Sequence, residues 1–248
     1  MEQAMKRIFL FLVSVLAFGR SLPAADFSLS AGAGGLLGGV FTRYEASSGS
    51  GTMTQNVNQF NYGGLVFFDA AYAELSVFIQ GGMGNYDEKM YLSSVSIIDP
   101  VKMNGDGWET VLGFSLLGKY PFTLAPRFKL FPLLGMDFKL ALKELRRENG
   151  DIIRDRTDGG QKDKDKDGKP YDISVWNSFW VNVGVGADFY IIKNLFLRGE
   201  LLYSFRLMTD YEADGLEQMK DVLHDDSPSL GGLTSGPSLR FCVGYRLW

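Results

Sequence analysis

The stretch DKDKDGKPYDIS at 163–174 has the spacing of a metal-binding loop. Asp163, Asp165 and Asp167, followed by glycine, match the start of an EF-hand calcium loop, in which alternate carboxylates supply oxygen ligands. The twelfth position of that loop is a bidentate glutamate, and Ser174 stands there in this chain. Because the surrounding charges alternate in sign and few apolar residues accompany them, the pattern favours a solvated loop tip. Calcium at the three aspartates is the alternative, and no other cofactor is expected.

A second group of residues capable of chemistry surrounds His224, the single histidine. Asp225, Asp226 and Ser227 follow it directly. A nucleophile, its base and the group that orients the base usually come from separate segments of a chain. The chain also lacks the G-x-S-x-G motif of the α/β-hydrolases. The sequence therefore predicts that this protein is not an enzyme.

The elements that must carry these loops are marked by alternation of apolar and polar residues with a period of two, which indicates β-strands. In the last segment, Phe241, Val243 and Tyr245 alternate with residues that include Arg240 and Arg246. The alternation recurs eight times, at 27–44, 59–69, 71–86, 107–120, 127–142, 174–190, 195–208 and 236–248. In each segment one parity is apolar and the other is small or charged.

The connections between these segments alternate in length. Short turns are expected near 69–71, 121–126 and 191–194, and long loops at 45–58, 87–106, 143–173 and 209–235. Short turns at one end and long loops at the other are typical of outer-membrane barrels. An open sheet edge would leave unpaired backbone groups in lipid, so the first and eighth strands are expected to pair. The predicted fold class is all-β, an eight-stranded antiparallel up-and-down transmembrane β-barrel over residues 26–248.

In such a barrel the apolar parity faces lipid and the charged parity faces a narrow interior. Charges of both signs enclosed together are expected to pair, because a buried unpaired charge is costly. A salt-bridged plug is therefore favoured over a selectivity filter. The predicted lumen charges are Glu74, Glu109, Lys129, Asp137, Lys139, Asp188, Arg198, Glu200, Arg206, Arg240 and Arg246.

Aromatic residues near the strand ends predict two girdles at the headgroup levels of a bilayer. One girdle would contain Tyr62, Trp108, Phe138, Phe179 and Tyr203. The other would contain Phe27, Tyr72, Tyr120, Phe128, Phe189, Phe196 and Tyr245.

Residues 1–25 have the features of an export signal. Lys6 and Arg7 precede an apolar run at 8–19, and small residues follow at the expected cleavage site. The single cysteine, Cys242, excludes an internal disulfide. The net charge of −4 provides no basic surface for nucleic acid. We expect an exported protein from which residues 1–25 are removed.

Residues 26–248 resemble the small eight-stranded outer-membrane proteins of the OmpW, OmpX and OmpA-barrel group. This resemblance implies an outer-membrane location, contact with membrane lipid, and insertion by the outer-membrane assembly machinery. That machinery recognises an alternating final strand that ends in an aromatic residue. The matching residues are Phe241, Val243, Tyr245, Leu247 and Trp248, with Trp248 one step out of phase.

Three functions remain open from the sequence. The leading prediction is a surface-exposed, porin-like outer-membrane scaffold with a narrow channel for small or apolar solutes. The first alternative is a structural protein or adhesin that binds host or matrix ligands through its loops. The second is a soluble exported barrel of lipocalin type, which requires the apolar parity to face the interior.

Overall fold

A computed structural model describes residues 28–48, 51–92, 101–148, 151–155, 178–207 and 229–247. The predicted signal peptide at 1–25 lies outside the described residues, as do Asp163, Asp165 and Asp167, the residues around His224, and Trp248. The sequence-based expectations for these segments therefore stay predictions.

The described residues form ten β-strands. They are β1 Leu29–Ser48, β2 Gly51–Ala70, β3 Ala73–Leu92, β4 Val101–Lys119, β5 Phe122–Ala125, β6 Phe128–Glu148, β7 Asp151–Asp155, β8 Ser178–Tyr190, β9 Leu195–Arg206 and β10 Ser229–Arg246. No helix long and apolar enough to cross a membrane occurs in this part of the chain.

Eight of these strands close into a ring in the order β1, β2, β3, β4, β6, β8, β9 and β10, and all neighbours are antiparallel. β1 and β10 complete the ring, with a register that runs from Ser30 opposite Arg246 to Ser47 opposite Ser229. β5 and β7 are short strands that pair with β6. The predicted eight-stranded up-and-down barrel is confirmed, and closure removes the sheet edges.

Side chains alternate between the two faces of the wall, as the period of two predicts. In β9, Arg198 and Glu200 are buried, whereas Leu197, Leu201 and Tyr203 are exposed. The same alternation places exposed Leu, Val, Ile and Phe residues around the outside of the barrel and charged residues within it. The outside of the wall is therefore apolar, whereas the interior contains the buried charges together with apolar side chains such as Leu117, Leu133 and Leu202.

The end of the barrel with short connections is called the turn end here, and the opposite end is the loop end. At the turn end, Ala71 and Tyr72 join β2 to β3, and a bend at 191–194 joins β8 to β9. Ala71 has a φ of 50°, in the left-handed region, and its N–H donates to the Ser28 carbonyl at 3.0 Å. The predicted connection at 121–126 contains β5, which folds back on β6.

At the loop end the strands extend further than the sequence prediction, and the loop boundaries require correction. β1 continues to Ser48 and β2 begins at Gly51, and these two residues pair directly. Most of the predicted loop at 45–58 is therefore paired strand. The predicted loops at 87–106, 143–173 and 209–235 are likewise shortened by the strand residues at their ends. Residues 51–58 contain only two apolar side chains, Met53 and Val57, with Gln55 between them on the same parity, so no continuous apolar alternation marks them as a strand.

Pro132 lies within β6, where a missing N–H would ordinarily break a ladder. The β4 ladder ends with Lys119 opposite Leu133, and the β5 ladder begins with Phe122 opposite Leu130. Pro132 falls between these two ladders, so its missing donor is not required on that side.

Candidate functional site

The lumen contains a cluster of buried charged side chains joined by short hydrogen bonds, and Arg198 is at its centre. Its Nη1 donates to Glu74 Oε2 at 2.5 Å, and its Nη2 donates to Asp69 Oδ2 at 2.7 Å. Its Nε donates to Asp188 Oδ1 at 2.7 Å, and Nη2 reaches the second oxygen of the same carboxylate at 2.8 Å. The side chain is almost fully buried. β3 lies diametrically opposite β9 in the ring, so this guanidinium spans the lumen.

Lys119 extends the same cluster from β4. Its Nζ donates to Asp69 Oδ2, which also accepts from Arg198. Neither Asp69 nor Lys119 is among the lumen residues predicted from the sequence. The prediction assigned Asp69 to the turn, but Asp69 shares parity with inward Phe67, and following the alternation to the end of β2 would have found it.

Four phenyl rings also point inward, although the sequence pattern predicts a lumen of small and charged residues. Each ring lies directly opposite a glycine on the neighbouring strand. The pairs are Phe67 with Gly32, Phe78 with Gly113, Phe131 with Gly186 and Phe196 with Gly244. A Cβ atom at any of these glycines would overlap the opposing ring. The glycines therefore provide the space that the rings occupy beside the wall.

Three of these rings surround the Arg198 guanidinium. Its Cζ lies 4.7 Å from the ring centroid of Phe67 and 5.2 Å from those of Phe131 and Phe196. These distances are within the range of cation–π attraction. The guanidinium thus has carboxylates in its plane and aromatic rings nearby, and together they fill the lumen at this level.

The position of Phe196 corrects the girdle prediction. Phe196 is fully buried in the lumen, not exposed among the outer aromatic residues. It shares parity with Arg198 in β9, and parity decides the face. The prediction grouped aromatic residues by nearness to a strand end and ignored parity at this position.

Outward aromatic residues pair with one another both near the turn end and toward the loop end. Near the turn end, Tyr120 contacts Tyr72 and Phe122, with ring centroids 5.8 and 5.0 Å apart. Toward the loop end, Phe138 and Phe179 have centroids 4.7 Å apart. Phe60 pairs there with Tyr62, and Tyr203 with Phe205.

A second arginine crosses the lumen on the loop-end side of Arg198. Arg240 Nη2 lies 3.4 Å from Ser115 Oγ and 3.5 Å from Asp137 Oδ2, and its Nη1 lies 3.5 Å from Ser76 Oγ. Glu200 Oε2 is 3.9 Å from Arg240 Nη1. These contacts are longer than the 2.7–2.9 Å typical of charge-assisted hydrogen bonds. Arg240 is therefore held more loosely than Arg198.

The other predicted lumen charges lie above and below these two arginines. Lys139 Nζ is 4.2 Å from the ring centroid of Trp180, and Lys129 Nζ is 5.3 Å from that of Tyr190. Glu109 Oε1 accepts a hydrogen bond from Gln59 Nε2 at 2.6 Å. The remaining two are partly buried, Arg206 at the loop end of β9 and Arg246 at the turn end of β10. Within the described ranges no group of three or more His, Cys, Asp or Glu side chains could hold a metal.

No protein-family model matches the chain, and no curated protein matches it. Among solved structures, the outer membrane protein OprG from Pseudomonas aeruginosa is similar over 89% of this chain and 96% of its own, with 9% identity and a TM-score of 0.45. Neisserial surface protein A has 15% identity and a TM-score of 0.34, over 86% of this chain and 98% of its own.

A third similar structure is Ail from Yersinia pestis, in complex with the heparin analogue sucrose octasulfate. It has 13% identity and a TM-score of 0.31, over 89% of this chain and 99% of its own. The barrel fold of this chain is established by its own strand pairing, independently of these similarities.

Proposed function

We propose that this chain is an integral outer-membrane β-barrel whose filled lumen makes it a rigid scaffold for the strands and loops at its loop end. The observation that carries the proposal is the polarity of the wall. Large apolar side chains are exposed on the outside, and the ionic groups are enclosed.

The outward face of β3 illustrates this polarity. Leu75, Val77, Ile79 and Met83 are between 41% and 60% exposed. Soluble monomers rarely expose a continuous apolar surface larger than a few hundred Å². A closed ring also satisfies the requirement that backbone groups in hydrocarbon be paired within the protein. The outside of this barrel therefore suits lipid, and the same polarity opposes the lipocalin-type alternative.

The length of the strands supports the scaffold role. A tilted strand needs about 9–11 residues to cross the hydrocarbon. β1, β2 and β3 each have 20 residues. The surplus lies at the loop end, where β1 and β2 pair up to Ser48 and Gly51. Under this proposal the paired extension projects from the membrane and supports the loops above it.

The filled lumen argues against the narrow channel that the sequence analysis included in its leading prediction. Arg198 and Arg240 cross the lumen at two levels, and each contacts a strand on the opposite side of the ring. Phe67, Phe131 and Phe196 occupy the space around Arg198. An eight-stranded barrel has an interior that side chains can fill. We therefore infer that ions do not pass along this axis.

Two experiments test the proposal. The refolded protein should migrate faster on SDS gels before boiling than after, because a closed barrel resists SDS. The same protein should then give no reproducible conductance steps in planar bilayers, with a 16-stranded porin as the positive control. Regular steps from the unboiled form would overturn the scaffold proposal, and solubility as a monomer without detergent would overturn the membrane location.

Binding of host or matrix ligands stays a prediction, because residues 156–177 and 208–228 lie outside the described residues. Recognition by the assembly machinery also stays a prediction. Four residues of its proposed signal, Phe241, Val243, Tyr245 and Leu247, share the exposed face of the last strand and its end.

A further inference from the structure

A small cavity with both apolar and polar lining lies in the lumen on the loop-end side of Arg240. Its volume is about 30 Å³, and its lining includes the charged residues Lys139, Arg240 and Asp137, together with Trp180 and Gln80. A water molecule needs roughly 10–15 Å³ measured in this way, so the cavity has room for about two. Drug-sized ligands need several hundred Å³ and are excluded.

Lys139 contributes an ammonium group that no described side chain neutralises by direct contact. Its Nζ lies against the Trp180 ring, and none of the ion pairs or hydrogen bonds between described residues includes it. An ammonium group has three donors, and enclosing it without an acceptor is costly. The half-buried side chain therefore has unused donors beside the cavity.

The carboxylates whose negative charge acts on the Lys139 ammonium are Asp137 and Glu109, and Arg240 is the neighbouring cation. Asp137 Oδ1 accepts from Asn182 at 2.6 Å, and its Oδ2 faces Arg240. Glu109 accepts from Gln59 at 2.6 Å. Asp137 lines the cavity, but its two oxygens face Asn182 and Arg240, and Glu109 is not part of the lining. Neither carboxylate makes a direct contact with the Lys139 ammonium.

Arg240 provides the second cation of the lining. Its contacts with Ser76, Ser115, Asp137 and Glu200 span 3.4–3.9 Å, whereas Arg198 has four contacts between 2.5 and 2.8 Å. A guanidinium with only long contacts can take a further acceptor without losing a strong one. The lining also contains amide and hydroxyl donors, from Gln80, Asn61 and Ser204.

We propose that this cavity binds one small monovalent anion, of halide or carboxylate size, between Lys139 and Arg240. The filled level around Arg198 closes the cavity toward the turn end, so the anion enters from the loop end. This inference rests on the lumen alone and does not depend on the membrane location or on the scaffold role.

Trp180 is a built-in reporter, since its ring contacts Lys139 and lines the cavity. The test uses a protein in which Trp108, Trp176 and Trp248 are changed to Phe, refolded into zwitterionic detergent micelles. Iodide, which quenches tryptophan fluorescence, is titrated at constant ionic strength against sodium sulfate. We expect a saturable quenching phase that either chloride or acetate reverses. Reversal by chloride alone identifies a halide site, and reversal by acetate alone identifies a carboxylate site.

The matched variants are Lys139→Met and Lys143→Met, both on β6. Lys143 is exposed and does not line the cavity. Lys139→Met should weaken iodide binding at least tenfold, and Lys143→Met should leave it unchanged. If Lys139→Met does not show the heat-dependent gel shift of a folded barrel, Lys139→Gln takes its place. Quenching that is linear in iodide, equal in all proteins and insensitive to chloride and acetate would overturn the proposal.

Discussion

Replacing Arg198 with methionine would leave the carboxylates of Asp69, Glu74 and Asp188 buried without their main partner. Removing one member of a buried ionic cluster typically costs about 3–5 kcal/mol. We expect Arg198→Met to lower the free energy of unfolding by about that amount, measured by urea titration of tryptophan fluorescence in lipid vesicles. Arg127→Met is the control, because Arg127 is exposed at the turn end and should change stability by less than about 0.5 kcal/mol. Equal effects of the two changes would contradict the central role of Arg198.

The phenylalanine–glycine pairs predict opposite effects of the same substitution at two glycines. A Cβ at Gly113 would overlap the Phe78 ring, whereas a Cβ at Gly35 has Gly63 O as its nearest atom at 3.7 Å. Overpacking costs roughly 1–3 kcal/mol, so Gly113→Ala should lower stability by about that amount. Gly35→Ala should be neutral or stabilising by up to about 1 kcal/mol. The measurement is the same urea titration.

A double variant tests whether the ring is the cause. Phe78→Leu removes part of the overlap, so Gly113→Ala should cost less in that background than in the native chain. Residues in contact show such interaction energies, typically about 0.5–3 kcal/mol. Additive effects would mean that the wall does not pack Phe78 against Gly113.

The turn between β2 and β3 is the element with the clearest backbone strain. Ala71 has a φ of 50°, a conformation that costs an L-residue about 1–2 kcal/mol but is open to glycine. Ala71→Gly should therefore stabilise the barrel by roughly 0.5–1 kcal/mol after the loss of glycine entropy. Ala73→Gly, in the adjacent strand, should destabilise by a similar amount. A destabilising Ala71→Gly in the same urea titration would show that the turn does not hold this conformation.

The extent of each strand was predictable only where apolar alternation marks it. The positions of the turns, and the face of the wall that each side chain takes, follow from the alternation of residues such as Leu197, Arg198 and Leu201. The loop-end extensions were missed because 51–58 contain only two apolar residues, Met53 and Val57, which are too few to mark a strand by alternation. Pairing above the membrane needs no apolar face, so hydropathy does not reveal it.

The side-chain contacts within the lumen could not be predicted from the sequence, for a different reason. That Arg198 contacts Glu74 depends on the register of every intervening strand and on the closure of β1 against β10. Parity predicts that both side chains point inward, but it does not specify their depth. Sequence alternation does not reveal the inward phenyl rings, because Phe67 and Phe131 are apolar residues on the parity that is otherwise small or charged.

For the whole molecule, the enclosed ionic groups and the exposed apolar wall should make stability depend on a membrane-like solvent. Without detergent the apolar outer surface would be exposed to water. Removal of detergent should therefore cause aggregation and not yield a soluble monomer. Light scattering and gel filtration after detergent removal measure this. A monodisperse, detergent-free monomer would contradict the orientation of the wall.

The orientation of β10 tests the central claim most directly, because one cysteine, Cys242, lies on its inward face and Val243 on its outward face. In lipid vesicles, native Cys242 should resist N-ethylmaleimide until the protein is boiled. A nitroxide at Val243→Cys, in a Cys242→Ala background, should collide with dissolved oxygen far more often than with a water-soluble nickel chelate. Ready modification of native Cys242, together with nickel contact at position 243, would contradict the account.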